Sequence, residues 1–237
     1  MKSREFKHGF KLALPIGIGY FAVAFSLGIA AKSAGLNAFQ GFIASLFENA
    51  SAGEYAGFSL IAVQATYVEV MLMTLIANAR YLLMAFAMST RLDPDLSMRH
   101  RLTIAFDVTD ELFAISIARP GNISPYFYYG AMCASMPLWA SGTAVGIVAG
   151  SILPEAVVSA LGVALFGMFI ACIIPEAKKN KLVAFIIAIS FLLSWLFGIL
   201  PGLKDISEGT RTIILTLLIA GGAAALFPVK EEAEDAA

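Results

Sequence analysis

Apolar residues in this chain come in long blocks rather than in alternation, and short polar breakers divide them. The blocks are 12–31, 66–89, 126–149, 156–174, 182–200 and 212–227. Each approaches the roughly 20 residues a helix needs to cross about 30 Å of hydrocarbon. Between them lie Pro120-Gly121-Asn122, Pro154-Glu155, Pro175-Glu176 with Lys178-Lys179, and Pro201-Gly202, which end helices and start turns. Two further stretches are apolar but interrupted. Residues 39–61 are long enough to span yet carry Glu48-Asn49-Ala50-Ser51-Ala52-Gly53-Glu54 in their middle, and 104–118 is too short to span and holds three acids. The pattern predicts an all-α polytopic membrane protein with about six full transmembrane helices and two broken or re-entrant segments.

Composition agrees with the pattern. Hydrophobic residues make up 59% and charged residues 14%, and the mean hydropathy is +0.81, well outside the range of soluble domains. A net charge of -1 provides no basic surface for nucleic acid. Cys133 and Cys172 lie in separate apolar blocks and read as small thiols, not as a disulfide framework or a metal cluster. The basic start, 1–11, precedes an apolar run too long for a signal-peptide core and without a small-residue cleavage site, so 12–31 reads as a first spanning helix. A single transmembrane domain over 12–227 and a charged tail over 228–237 complete the expected organisation.

Basic residues orient the chain. If 39–61 re-enters from the outer side and 104–118 from the cytoplasm, then Lys2, Arg4, Lys7, Lys11, Arg91, Arg99, Arg101, Arg119, Lys178, Lys179, Lys181 and Lys230 are cytoplasmic, and only Lys32, Lys204 and Arg211 face outward. Letting only 39–61 cross reverses the bias, and letting both cross weakens it. The preferred topology therefore has both termini in the cytoplasm. Irregular backbone at membrane depth must be buried in protein or line a water-filled space, so the two broken segments are expected to wall an internal cavity.

Seven charges fall inside apolar stretches: Glu48, Glu54, Glu69, Arg80, Asp107, Asp110 and Glu111. Each costs about 2.5–3.5 kcal/mol at a bilayer centre unless paired, hydrated or used. The small residues Ala50-Ser51-Ala52-Gly53 suit a chain break near Ser51, with a half-helix starting around Ala52-Gly53 whose free N–H groups attract an anion. They also suit a packing seam with snorkelling glutamates. Treated as one helix, 66–89 places Asn78 and Arg80 about 200° apart, and Glu69 roughly 16 Å from Arg80 along the axis. Glu69 is thus expected at the outer interface, and Arg80 must find a partner among Glu48, Glu54 and the acids of 107–111. That partner makes Arg80 either a structural ion pair or a clamp for a substrate carboxylate. Asp107, Asp110 and Glu111 are spaced i, i+3, i+4, on one face if helical. They read as a proton-sharing cluster or as first-turn chemistry with Asp107 as the cap.

Taken together, Gly17-Ile18-Gly19-Tyr20 with Ala24 and Gly28, then Ser51-Ala52-Gly53-Glu54-Tyr55, Asn78-Ala79-Arg80-Tyr81 with Leu83 and Ser89, and Thr109-Asp110-Glu111 resemble the AzlC family in order and spacing from about Pro15 to Phe227. That family forms the large subunit of branched-chain amino acid exporters. The resemblance implies export of leucine, isoleucine, valine and methionine from a bacterial cytoplasm across the inner membrane, with a small AzlD-like subunit. Two positions depart from it: the family often has glutamine where Glu54 stands and histidine where Tyr81 stands.

The expected function is a secondary amino acid exporter, proton-coupled, with no cofactor and no metal. The substrate-binding candidates are Glu48, Asn49, Ser51, Gly53, Glu54, Asn78 and Arg80. Asp107, Asp110 and Glu111 are the proton-coupling candidates, and Met71, Met73, Met84, Phe86 and Met88 offer apolar surface. A passive channel for a small solute and a non-transporting assembly subunit are the alternatives. No catalytic motif appears: there is no His–Glu metal motif and no nucleophile elbow, and His8 and His100 sit in basic stretches, so no enzyme is expected.

Overall fold

A computed structural model describes residues 2–154, 156, 157, 160, 163, 167, 170, 173–175, 177–203, 206 and 208–227. Most of the expected span 156–174, with Cys172, and the tail 228–237 lie outside the described residues, as do Lys204 and Lys230. Among the described residues the helices are α1 (Lys2–Ser33), α2 (Ala38–Glu48), α3 (Ser51–Ala62), α4 (Tyr67–Ala77), α5 (Ala79–Ser89), α6 (Met98–Phe106), α7 (Asp110–Ile117), α8 (Pro125–Ile152), α9 (Lys181–Ile199) and α10 (Glu208–Leu226). No strand occurs among them. Helices α1, α8 and α9 are long and apolar enough to cross a membrane, and α4 with α5 makes a fourth crossing if the bent pair is one span.

A seam between α1 and α8 frames the molecule. A Cβ on Gly17 would lie 2.5 Å from the Ala134 carbonyl oxygen, and one on Gly142 would lie 2.5 Å from that of Phe21. Gly9, Gly28, Gly130 and Gly146 likewise face the backbone carbonyls of Phe127, Thr143, Phe6 and Phe25. Such contact is possible only without side chains, and it gains close backbone packing where lipid supplies no hydrophobic drive. Residue numbers rise together along the seam, from Gly9 with Phe127 to Gly28 with Thr143, so α1 and α8 are parallel. The basic residues at the start are therefore not a separate arm: α1 is helical from Lys2 and packs on α8 through Phe6 and Gly9.

With the α4–α5 pair counted as one span, parallel α1 and α8 fit an arrangement in which 39–61 and 104–118 either both cross or both turn back. The contacts trace both segments. Gly41 and Ser45 of α2 meet Ile147 and Thr143 of α8, and Leu46 shares a groove with Met132 and Met136, so α2 descends against α8 from the end where α1 finishes. Gly53 lies beside Asn78 and Gly57 beside Thr74, so α3 and α4 are antiparallel. Helix α5 then continues to Met88 and Leu92, which share a core cluster with Ala13 and Tyr128, near the start of α1. Because α4–α5 runs opposite to α1, α3 returns to the end from which α2 came.

The second segment mirrors the first. His100 of α6 contacts Tyr129, with its Nδ1 2.5 Å from the tyrosine hydroxyl, so α6 rises beside α8. Helix α7 goes back: its C-terminal carbonyl from Ile117, with those of Arg119 and Gly121, accepts from the Arg91 guanidinium at 3.5, 2.7 and 2.8 Å. The two hairpins meet at their tips. Asn49, left-handed at φ 44° and the C-cap of α2, donates its amide to the carboxylate of Asp107, the C-cap of α6. Asparagine tolerates that conformation better than other side chains with a Cβ.

Helix 66–89 is not continuous, contrary to the expectation from its apolar run. It divides at Asn78 with a bend of 48° between α4 and α5. The first break also falls at Asn49-Ala50, just before the expected Ser51, and α3 begins at Ser51 itself.

Gly28→Val places a side chain against the Thr143 carbonyl and is expected to destabilise the protein by roughly 1–3 kcal/mol. Gly19→Val, with nothing within 4 Å of the new Cβ, is the control that leaves stability unchanged. Thermal unfolding in detergent, followed by gel filtration, checks both.

Candidate functional site

The chain breaks gather helix ends of opposite polarity on two sides. The C-termini of α2, α4 and α6 end at Asn49, Asn78 and Asp107. The N-termini of α3, α5 and α7 start at Ser51, Ala79 and Asp110. N-terminal N–H groups carry partial positive charge and C-terminal carbonyls partial negative charge. Thr109 caps α7 by accepting from the Leu112 N–H, whereas α3 and α5 have no side-chain cap. Their first N–H groups are therefore free of a side-chain acceptor.

A cavity of about 430 Å³ opens on the N-terminal side. Asn49, Ser51 and Ala52 line it from the first hairpin, Arg80 and Tyr81 from α5, and Thr109, Asp110 and Glu111 from the second hairpin. Arg80 Nη2 is 3.0 Å from Asp110 Oδ2, which supplies the partner that the sequence left open. Arg80 also donates to the Tyr81 hydroxyl at 3.3 Å. The Tyr20 hydroxyl of α1 lies 2.5 Å from Glu111 Oε2 and 2.7 Å from Thr109 Oγ1. Its single proton goes to the carboxylate, and the threonine hydroxyl donates back. Val23, Ala77, Trp139 and Ile173 form the apolar part of the wall.

A smaller cavity of about 230 Å³ opens on the C-terminal side, bounded by Glu48, Asn49, Asn78, Tyr81 and Asp107 with apolar neighbours. Asn49 and Tyr81 line both spaces. Asn78 Nδ2 lies 3.4 Å from Glu48 Oε1. Gly53 backs this pair: a Cβ there would fall 2.5 Å from Asn78 Nδ2 and 2.8 Å from Asn78 Oδ1.

Glu54 belongs to neither cavity wall. It is fully buried and accepts from the Ser45 hydroxyl at 2.8 Å and the Trp139 indole N–H at 2.5 Å. Ser45 in turn lies 2.7 Å from Thr143 Oγ1 on α8. Glu54 reaches the larger cavity only through Trp139, whose ring stands edge-on to Tyr20 at 5.3 Å. Arg80 and Asp110 face the larger cavity, and Glu54 lies behind it.

Several expectations are corrected. Asp107, Asp110 and Glu111 do not share one helical face, because the chain breaks at 107–109. Asp107 closes α6 on the side of the smaller cavity, while Asp110 and Glu111 open α7 on the other. The cap of α7 is Thr109, not Asp107. Asn78 and Arg80 do face different spaces, as their separation of about 200° on a helix implies. Glu69 forms a capping box with Thr66, accepting at 3.0 Å from both its N–H and its hydroxyl, and also accepts from Thr210 of α10 at 2.9 Å. None of Met71, Met73, Met84, Phe86 and Met88 lines either cavity; Met88 is in the core and Met71 and Phe86 face outward. Sequence reasoning missed Ser45, Trp139, Thr143 and Tyr128 as site supports, and Tyr20 as more than a motif residue. Only Trp139 and the tyrosines carry a signal, a polar atom within an apolar run that must find a partner.

The fold and the site define a polytopic membrane protein whose polar groups converge on two opposed helix breaks. The model of the family described as AzlC protein matches residues 15–153, which holds α1 from Pro15 onward, both hairpins and α8. The chain belongs to the AzlC family of membrane proteins. It is 30% identical over 179 residues to an uncharacterized membrane protein of Archaeoglobus fulgidus, covering 75% of this chain and 78% of that one. It is 26% identical over 186 residues to the inner membrane protein YgaZ of Escherichia coli, covering 76% of each. A Helicobacter pylori membrane protein is 27% identical over 152 residues, 62% of this chain and 65% of that one. No solved structure matches the chain.

Glu54→Gln keeps an acceptor for Trp139 and gives Ser45 a donor that its lone pairs can take, so stability within about 1 kcal/mol of wild type is expected. Glu54→Ala strands the buried Trp139 indole N–H, while Ser45 keeps Thr143, and is expected to cost roughly 1–3 kcal/mol. Thermal unfolding of the two variants side by side makes the comparison.

Proposed function

We propose that the protein is a secondary transporter that exports the branched-chain amino acids leucine, isoleucine and valine, and with them methionine, across the inner membrane of a bacterium. The observation that carries this reading is the larger cavity, where the opposed charges of Arg80 and Asp110 stand beside uncapped helix N-termini and an apolar wall. Its volume lies within the roughly 300–1,000 Å³ of small-ligand sites. A zwitterion supplies both partners that this ion pair gives up on opening. The substrate carboxylate goes to Arg80 and the N–H groups at Ser51 and Ala52, where charge-assisted bonds are strongest. The ammonium goes to Asp110 and Glu111, and the aliphatic side chain packs on Val23, Ala77, Trp139 and Ile173.

Proton coupling runs through Asp110 and Glu111 in this reading. Asp110 exchanges Arg80 for the substrate ammonium or for a proton as the cavity changes access, and Tyr20 and Thr109 hold Glu111 in place for the same exchange. Asp107, across the break, is not part of that relay. The end of the molecule where α1 begins is cytoplasmic, because Lys2, Arg4, Lys7, Lys11, Arg91, Arg99, Arg101 and Arg119 gather there. A small AzlD-like subunit completes the transporter, and α9, with no buried residue, offers a face for it.

Uptake of labelled leucine into everted vesicles carrying the protein and its small subunit tests this function. A proton gradient is expected to drive saturable uptake, and gradient-independent uptake contradicts the coupling. Arg80→Ala removes a charge-assisted bond and is expected to lower substrate affinity roughly 10- to 100-fold. Non-saturating flux without counterflow indicates a channel. Unchanged affinity with impaired complex formation indicates an assembly subunit.

A further inference from the structure

The smaller cavity is not used by the transport reading, yet its chemistry is one-sided. Two carboxylates, Glu48 and Asp107, and two carboxamides, Asn49 and Asn78, line it, and among the described residues no Lys, Arg or His does. Three buried oxygens have no hydrogen-bond donor: Asn49 Oδ1, Asn78 Oδ1 and Asp107 Oδ2. Asn49 is 7% exposed and Asp107 1%. The amide orientations follow from their partners, because each Nδ2 must face a carboxylate, Asp107 for Asn49 and Glu48 for Asn78. That leaves each Oδ1 as an acceptor without a donor. Unsatisfied buried acceptors are costly and are met by an ion or by ordered water.

Three helix C-termini end on the same space, adding the negative ends of α2, α4 and α6. Gly53 keeps the back of the cavity open, because any larger residue would push a Cβ into Glu48 and Asn78. Four side chains thus present hard oxygen donors on three different helix ends, with two formal negative charges and no cation.

We infer that this cavity is a binding site for a small monovalent inorganic cation, and that Na⁺ is its occupant. Hard oxygen ligands select a hard ion. The space of about 230 Å³ is smaller than typical small-molecule pockets and is lined by two carboxylates and two carboxamides, so an ion fits it better than an amino acid. Ca²⁺ takes six to eight oxygens, and Mg²⁺ demands near-ideal octahedral geometry and dehydrates reluctantly; four side chains of fixed position suit neither. The ion would tie Asn49 and Asp107, the two hairpin tips, to Asn78, the hinge of the bent span. Its binding would therefore favour the conformation in which the tips touch. The inference does not depend on the transport reading and concerns a separate cavity.

The test uses the full chain purified in detergent without any amino acid. Thermal unfolding is followed in NaCl, KCl, choline chloride, MgCl₂ and CaCl₂ at equal ionic strength, with equilibrium binding of radioactive Na⁺ alongside. Na⁺ is expected to raise the unfolding midpoint saturably, as any ligand of the folded state does, and choline is not. Asp107→Asn and Asn78→Ala are each expected to weaken Na⁺ binding at least tenfold. Gly53→Ala, which leaves every donor in place but displaces Asn78, is expected to weaken it as well and serves if Asp107→Asn does not fold. Equal stabilisation by choline, preference for a divalent ion, or wild-type Na⁺ affinity in both Asn78→Ala and Gly53→Ala overturns the site. Na⁺ binding without leucine transport contradicts only the transport reading, and transport without Na⁺ binding contradicts only this one.

Discussion

One contact between two chain breaks organises the interior of this protein: the Asn49 amide on the Asp107 carboxylate. Each break exposes helix ends at a depth where lipid cannot satisfy them, and such backbone persists only where protein or an enclosed polar space receives it. Two hairpins entering from opposite ends meet that requirement together, each tip supplying polar partners for the other. A hydrogen bond to a charged group contributes about 1.5–3 kcal/mol, so the tip contact is a substantial share of the cost of leaving both helices broken. It also sorts the helix ends, with C-termini toward one space and N-termini toward the other. The polarity of both cavities follows from that sorting.

The tips are held in place by the α1–α8 frame, and the frame depends on glycine. Close backbone approach at Gly9, Gly17, Gly28, Gly130, Gly142 and Gly146 makes one rigid two-helix wall, and four of its side chains reach the hairpins. Trp139 and Thr143 hold the first hairpin through Glu54 and Ser45. Tyr20 and Tyr128 hold the second, through Thr109 with Glu111 and through the Asp107 carbonyl, which accepts from Tyr128 at 2.7 Å. Glu54 thus ties the first hairpin to that frame, and the charges that face the larger cavity are Arg80, Asp110 and Glu111.

The broad layout was legible because charges inside apolar runs are rare and must be explained, and because small residues and breakers mark where helices stop. Both broken segments were found in that way, the first break to within two residues; the second hairpin starts at Met98, six residues before the expected 104. The hinge at Asn78 was not, because a helical wheel drawn through 66–89 assumes a continuity that the sequence does not guarantee. The same assumption grouped Asp107 with Asp110 and Glu111. Thr66-Tyr67-Val68-Glu69 carried a readable signal, since threonine with glutamate three residues on is a capping box; its place in an apolar run drew attention to the charge and away from the cap. Ser45 and Thr143 left no trace at all, because a hydroxyl in a membrane helix usually bonds its own backbone and only packing shows that Ser45 reaches both Thr143 and Glu54.

The central claim is that the hairpin tips touch. Cross-linking of Asn49→Cys with Asp107→Cys in native membranes, with Cys133 and Cys172 replaced by serine, measures it directly. The account predicts a disulfide within one chain on mild oxidation, read as loss of free thiols in the monomer band, and no such bond when Asn49→Cys is paired with Arg99→Cys at the far end of α6. Equal cross-linking of both pairs, or failure of the 49–107 pair in a protein that remains folded, would contradict it.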